Sequence, residues 1–429
     1  MTTPLASSRP AVGSPAASVA RRQSWRRRSK PARVVRALCL CALLVPALVS
    51  FRPYAVEDRI RAAARPYDFD LIAWEAGQLH DDLPSLIGRL REPPPADAPV
   101  TSTDDAATVD QFFAAVARWR TARATGGSAE SVAAARAAWE SQRDAAGAAI
   151  ERALSALASQ EGLTADTPLG TWLLPPVSFQ LTEPPRVLVV SPRDRIEVAQ
   201  SVLLRPDVSL SAAEELEQHV DSLGMSGLVV TIGGIATYPA IVPLQASPLE
   251  TLTAVSHEWL HGYLFFRPLG RAYFTSYDAR MVNETVAELG GRELGKLLAE
   301  AFGLPADTPA PTADTGDTGG FDFRRQMRDT RQQLDALLAS GQIAEAEEYL
   351  ARRQQDFVAA GYPIRKLNQA YFAFHGSYGD SPASVSPLDG QIQTLRDASP
   401  DLGAFLRRVA QMTSSAEVAA AAEETPPGS

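Results

Sequence analysis

His257, Glu258 and His261, in the stretch "SHEWLHGYL", are the residues of this 429-residue chain whose types and spacing best fit chemistry. The chain holds five histidines (His80, His219, His257, His261, His375), and two of them stand four apart with a glutamate after the first. On a helix that spacing sends both imidazoles out of one face, where they can grip a single ion. Glu258, one step round, can reach a water on that ion. Such an ordered triplet arises by chance in well under about one chain in a hundred of this length.

Two histidines do not complete a catalytic zinc site, which takes three protein ligands and keeps one position open for water. The HExxHxxGxxH solution is excluded, because Leu264 and Arg267 stand where its Gly and His would be. The other solution is a carboxylate from a second helix. The stretch "RMVNETVAELGGRELG" offers Glu284 and Glu288, one turn apart on one face and set among Met281, Val282, Val286 and Leu289. Gly291 and Gly295 continue that face, and their missing side chains let the second helix approach the first closely.

The elements that must position these groups are legible around them. Ser247 can cap the first helix, Pro248 suits its first position, and Glu250 completes a Ser-x-x-Glu capping box. No Gly or Pro interrupts that run before Gly262. Upstream, "VSFQL", "RVLVVS" and "RIEVAQSVLL" predict strands, and a helix is expected over 211–222 with Ser211 and Glu214 at capping-box spacing. In "GLVVTIGGIATYPAIVP" two apolar runs flank Gly233-Gly234, which predicts a two-residue hairpin. Pro239 places the second of those strands at a sheet edge, open to an extended peptide or simply protected by the proline. Residues 54–165 read as a helical region, broken by the proline-rich stretch 91–105. Residues 170–304 form the expected catalytic domain, and 305–320 a low-complexity linker. A C-terminal helical cap over 321–415 is expected to contain a helical hairpin turned at Ser340-Gly341, an amphipathic helix in "IRKLNQAYFAFHGSYG" and another over 388–413. A frayed tail, 416–429, ends the chain.

Composition narrows the partners. The net charge is −9, but residues 1–36 carry nine basic side chains and no acid, so the remainder nets −18. A globular part this acidic argues against nucleic acid. Residues 1–33 are expected to be disordered and cytoplasmic. The apolar run "ALCLCALLVPALVSF", within a segment at 34–53, fits an uncleaved single-pass anchor or a cleaved signal. Either places the rest of the chain outside the cytoplasm, because the basic flank lies on the N-terminal side alone. Both cysteines, Cys39 and Cys41, lie in that run, so a metal beyond it must be held by His and carboxylate.

His-Glu-Trp-Leu-His followed by Asn283-Glu284 resembles the gluzincin zinc metallopeptidases, the clan of thermolysin-like proteases and HExxH–E aminopeptidases. The resemblance covers about residues 227–295 and lacks the GxMEN-like signature of the exopeptidases. It implies an α+β, zincin-like unit, with a small mixed or antiparallel sheet and active-site helices flanked by helical regions. It also implies Zn²⁺ on His257, His261 and Glu284, with Asn283 beside the third ligand and Glu288 orienting the first histidine. Glu258 would then take a proton from the attacking water and deliver it to the leaving amine. An oxyanion donor is still needed. Tyr378 is the first candidate and His375 the next, ahead of Tyr371 and Tyr263. The expected partner is a peptide or protein substrate, with the membrane engaged through the N-terminal segment. A non-catalytic module with a structural metal site or cleft is the alternative, and a metal-dependent hydrolase of a non-peptide amide is a third possibility. The intact Glu258 favours an enzyme, because a structural site needs no base there.

Overall fold

The structure, a computed structural model, describes residues 56–78, 93–167, 170–305, 321–376 and 387–425. The expected anchor at 34–53, nearly all of the 305–320 linker, and Tyr378 lie outside the described residues. Contacts divide the chain into two units, residues 1–59 and 60–429. Of the first, only residues 56–59 are described, as the opening of helix α1 (Val56–Ala64).

The second unit is α+β, built from helices and three small sheets. A helical stretch at 71–78 precedes α2 (Thr103–Ala124), α3 (Ala129–Glu140) and α4 (Arg143–Gln160). Ser102 and Ser128 start α2 and α3 by accepting the backbone N–H groups of Asp105 and Ser131, donors that no helix can satisfy internally. The strands are β1 (Ala165–Thr167), β2 (Gly170–Trp172), β3 (Phe179–Leu181), β4 (Arg186–Pro192) and β5 (Gln200–Leu204). Helix α5 (Leu210–Ser222) leads to β6 (Met225–Thr231) and β7 (Ala240–Val242). The site helices follow as α6 (Pro248–Phe265), the short α7 (Pro268–Ala272) and α8 (Tyr277–Ala301). The C-terminal part holds α9 (Phe323–Ala339), α10 (Ile343–Ala359), α11 (Gln369–His375), α12 (Leu388–Asp397), α13 (Leu402–Val409) and α14 (Ser415–Glu423).

One core joins α2 and α4, the site helices, and α12 to α14. Leu252, Leu260 and Leu264 of α6, Val282, Val286 and Leu298 of α8, and Leu395, Phe405 and Leu406 beyond are fully buried in it. Burial of each such side chain contributes about 1.5–3 kcal/mol. The three-stranded antiparallel sheet has order β5-β4-β6, and α11 lies on it through Ala370, Tyr371 and Phe374. The α9–α10 hairpin packs beside it around Met327, Leu334, Leu350 and Phe357. It turns at Gly341, whose φ of +74° suits glycine, as the Ser340-Gly341 reading expects.

The outer edge of β6 is closed by side chains. Val229 N–H donates to Glu217 at 2.7 Å, and Val229 C=O accepts from Arg365 at 3.2 Å. Gly227 N–H donates to Asp221 at 3.2 Å, and its carbonyl accepts from Asn368 at 2.9 Å. These contacts stand in for a neighbouring strand and protect the edge from unwanted pairing.

Several expectations are corrected. Gly233-Gly234 is not a hairpin turn: β6 pairs with β4, while β7 pairs in parallel with β3. Neither glycine has positive φ, which a type I′ turn demands at both central positions. Ser209, not Ser211, caps α5, because its side chain reaches the Ala212 N–H. The strand expected from Arg195 is confined to Gln200–Leu204. The aromatic segment is helical only from Gln369, since Asn368 caps there. The single helix expected over 388–413 is two, interrupted before Asp401, which caps α13 by accepting the Ala404 N–H. The expected frayed tail instead forms α14, capped by Ser414 and anchored by the fully buried Val418.

Candidate metal centre

The two helices that carry the motif are held by local chemistry. The Ser247–Glu250 capping box forms in both directions, with Glu250 N–H donating to Ser247 Oγ at 3.1 Å and Ser247 N–H donating to Glu250 Oε2 at 3.0 Å. Arg120 of α2 donates to the Gln245 and Ala246 carbonyls just ahead of the helix. Trp259 Nε1–H donates to Pro175 C=O at 3.1 Å and fixes the rotation of α6. Against this helix α8 lies close because of glycine. A Cβ on Gly291 would stand 3.0 Å from the Cα of His257, and one on Gly295 would stand 2.8 Å from the Cα of Thr253. The close approach expected from Gly291 and Gly295 is therefore what the helices show.

At that contact His257, His261 and Glu284 converge. The two Nε2 atoms are 3.0 Å apart, and Glu284 Oε2 lies 3.4 Å from His261 Nε2 and 3.7 Å from His257 Nε2. Atoms at these separations lie on a circle of radius about 2.0 Å, a bond length small divalent cations make to imidazole nitrogen and carboxylate oxygen. Calcium, with oxygen ligands at about 2.3–2.6 Å, fits this donor set poorly.

The outer contacts orient the ligands. His261 Nδ1–H donates to Asn283 Oδ1 at 2.6 Å, which leaves the lone pair on its Nε2. His257 Nδ1 has no tight hydrogen bond but lies 3.4 Å from Glu288 Oε2, a charge contact that favours its proton on Nδ1. Glu284 Oε1 accepts from the Tyr273 hydroxyl at 2.8 Å, which leaves Oε2 toward the histidines. His261 Nε2, His257 Nε2 and Glu284 Oε2 thus face one another closely enough that either a proton shared between them or a metal ion can offset their mutual repulsion. Carboxylate–histidine contacts of this kind fix ligand tautomers at metal sites.

Burial pulls the His257 pKa down, but Glu284 and Glu288 outweigh it and hold it well above the ordinary imidazole range. Burial pushes the Glu284 carboxyl up, yet the two histidines hold it well below the usual carboxylate range. Glu288 is also lowered, since His257 and Arg292 outweigh its burial. Burial raises Glu258 against the pull of both histidines.

Glu258 is 7 % exposed and lies against the loop that follows β6. A Cβ on Gly234 would fall 2.4 Å from Glu258 Oε1 and 2.7 Å from its Cδ, so the carboxylate occupies the space a side chain there would need. Gln245 Nε2–H donates to Gly233 C=O at 3.2 Å, and Ile235 and Ile241 exchange backbone bonds of 3.0 and 3.1 Å, which pin this loop on both sides.

The proposed oxyanion donors fare differently. His375 sits on α11, stacked 4.3 Å from Tyr371 and 5.1 Å from Phe374, and burial pushes its pKa down to about 4. Those two rings are its stacking neighbours. Burial likewise pushes Tyr371 up to about 12. Tyr263 is fully buried among Trp259 and Arg267. Tyr273 is the residue that sequence reasoning missed. Its ring lies 6.1 Å from His261, and burial together with Glu284 raises its hydroxyl pKa. The signal available was topological, since any residue in the short connection between two ligand helices is within reach of both.

The chain matches no protein-family model, no curated protein and no solved structure.

Proposed function

We propose that this chain is a zinc-dependent peptidase with a gluzincin-like, zincin-type catalytic unit. The observation that carries the reading is the convergence of donor atoms from His257, His261 and Glu284, with the buried Glu258 next to His257 in the chain. The donor set of two imidazoles and one carboxylate suits zinc, and three protein ligands are the number a catalytic site uses. His257, His261 and Glu284 would hold the zinc ion, which would supply Lewis acidity and acidify a bound water.

The protein's own residues do the rest. Glu258, whose carboxyl burial raises above the ordinary carboxylate range, would receive the proton of the attacking water and hand it to the leaving amine nitrogen. Asn283 and Glu288 keep the ligand imidazoles in the tautomer that presents Nε2. Tyr273 holds Oε1 of Glu284, and its hydroxyl is a donor beside the cluster that could turn to a developing oxyanion. The Gly234 loop lies against the Glu258 side chain and closes that side of it. Membrane attachment through residues 34–53, with the catalytic part outside the cytoplasm, belongs to the same proposal.

The test is digestion of an unbiased peptide library by the purified chain, with metal content measured alongside. Cleavage that is lost with chelator, restored by zinc and absent in Glu258→Gln at unchanged zinc content supports the proposal. Full cleavage by metal-loaded Glu258→Gln would overturn the role of the base. Equal zinc content in His257→Ala and the unmodified protein would overturn the metal site.

A further inference from the structure

Phe265, Phe266, Phe274 and Tyr277 expose 52, 46, 72 and 45 % of their surface, and all come from the end of α6, through α7, to the start of α8. They stand beside other rings, with Phe265 edge-on to Phe266 at 5.5 Å and Phe274 5.2 Å from Tyr273. Both groups flank the metal cluster. Phe265 follows His261 by one turn on the same helical face. Tyr273, next to Phe274, packs 6.1 Å from the His261 ring. Single exposed apolar residues need no explanation, but a concentration such as this marks an interaction surface.

Charge indicates the partner. From Trp259 to Tyr277 the chain has no Asp or Glu and two arginines, in a protein whose part beyond residue 36 nets −18. Arg353, Arg365 and Arg396 each pair with a carboxylate. Arg267 and Arg271 have no carboxylate partner among the described residues, and Arg267 lies over the Tyr263 ring at 4.5 Å. Rings that enter the boundary between headgroup and acyl chain, with guanidinium groups among them for lipid phosphate, are the composition of a surface that lies on a membrane. Acidic lipid also complements a stretch that carries two arginines and no acid.

We infer that residues 265–277 are a docking surface for an anionic lipid bilayer, which brings the segment that carries Tyr273, and with it the neighbouring cluster, to the membrane. The inference uses none of the ligands and does not depend on peptide hydrolysis.

The test uses the full chain in liposomes. Cys39 and Cys41, its only cysteines, are changed to Ser. Phe265→Cys, Phe274→Cys and two controls, Ile72→Cys and Leu210→Cys, then carry a polarity-sensitive fluorophore one at a time. The controls are apolar positions exposed to 80 and 55 % that lie elsewhere in the chain. In phosphatidylglycerol liposomes containing nitroxide lipid, labels at 265 and 274 should shift to the blue and be quenched at least about twofold more than the controls, as for groups seated in the interface. Phosphatidylcholine alone, or Arg271→Glu, should remove most of that difference. Equal quenching at all four positions would overturn the inference, as would quenching indifferent to both lipid charge and Arg271. Shielding of residue 274 only when an apolar peptide is added would also overturn it, by assigning the rim to substrate.

Discussion

Gly234→Ala tests the geometry around Glu258 directly. The new methyl carbon would stand 2.4 Å from Oε1, 2.7 Å from Cδ and 2.8 Å from Cγ of Glu258. Ordinary contact begins near 3.4 Å, so the carboxylate must retreat by about 1 Å or the loop must lift. The loop is the stiffer of the two, tied by Gln245 to Gly233 and by the paired bonds of Ile235 and Ile241. Glu258 therefore yields, by leaving its rotamer at a cost of about 0.5–1.5 kcal/mol. Alanine is compatible with the backbone, since φ at 234 is not positive, and returns about 0.4–1 kcal/mol through the unfolded chain. Stability should thus change little. Displacing a reacting group by about 1 Å costs about 100-fold in rate, so kcat/KM should fall by that order with zinc still bound. The assay pairs peptide cleavage with metal analysis and thermal melting. Gly233→Ala is the control, because nothing lies within 4 Å of a Cβ there, and it should be active. Full activity in Gly234→Ala with metal bound would refute the argument, as would equal damage from Gly233→Ala, which would make the pair a flexible joint.

Tyr273→Phe removes the hydroxyl that donates to Glu284 Oε1 and should weaken zinc binding by about 10–100-fold, measured by competition with a chromophoric chelator. Acidity should separate apo from metal-loaded protein. The folded pKa of His257 is raised above its unfolded value of about 6.5, so its contribution to apo stability is present below that value and lost as pH rises through the folded one. Metal needs the neutral imidazole, so the difference in melting temperature between loaded and apo protein should widen with rising pH over the same window. A difference independent of pH would remove His257 from the site. Gly295→Ala forces a methyl to 2.5 Å from Thr253 Oγ1 and 2.8 Å from its Cα, which should cost about 1–3 kcal/mol in denaturant unfolding and lower zinc affinity with it.

Local patterns in the sequence identified what depends on local chemistry. The capping box of α6, the shared face of His257 and His261, the small face of Gly291 and Gly295, and the turn at Gly341 are all properties of neighbours in the chain. What escaped depends on tertiary contacts. Gly233-Gly234 has hairpin composition, but the Glu258 carboxylate, 24 residues later, explains the second glycine. Asn368 and Asp401 end the longer helices read from periodicity because each side chain offers the backbone a cap. The edge strand marked by Pro239 could not be judged either, since β7 pairs on one side with β3, about 60 residues earlier, and on the other is bridged through Ile241 to Ile235.

The same contrast bears on what the metal contributes to folding. In small zinc domains the unfilled site does not fold, because ligation is most of the stabilisation. Here α6 and α8 bury Leu252, Leu260, Val282, Val286 and Leu298 in a core shared with α4 and α13. Each ligand also has its own support: Asn283 for His261, Glu288 for His257 and Tyr273 for Glu284. The three lone pairs are thus held together by the surrounding fold, at an electrostatic cost that a proton on His257 relieves when metal is absent. Chelation should therefore leave helical circular dichroism intact and melting cooperative, with a lower midpoint that free zinc restores in proportion to the logarithm of its excess over Kd. If the chelated protein loses its helical signal at room temperature, the ion organises the helix pair, and a preformed site is the wrong description.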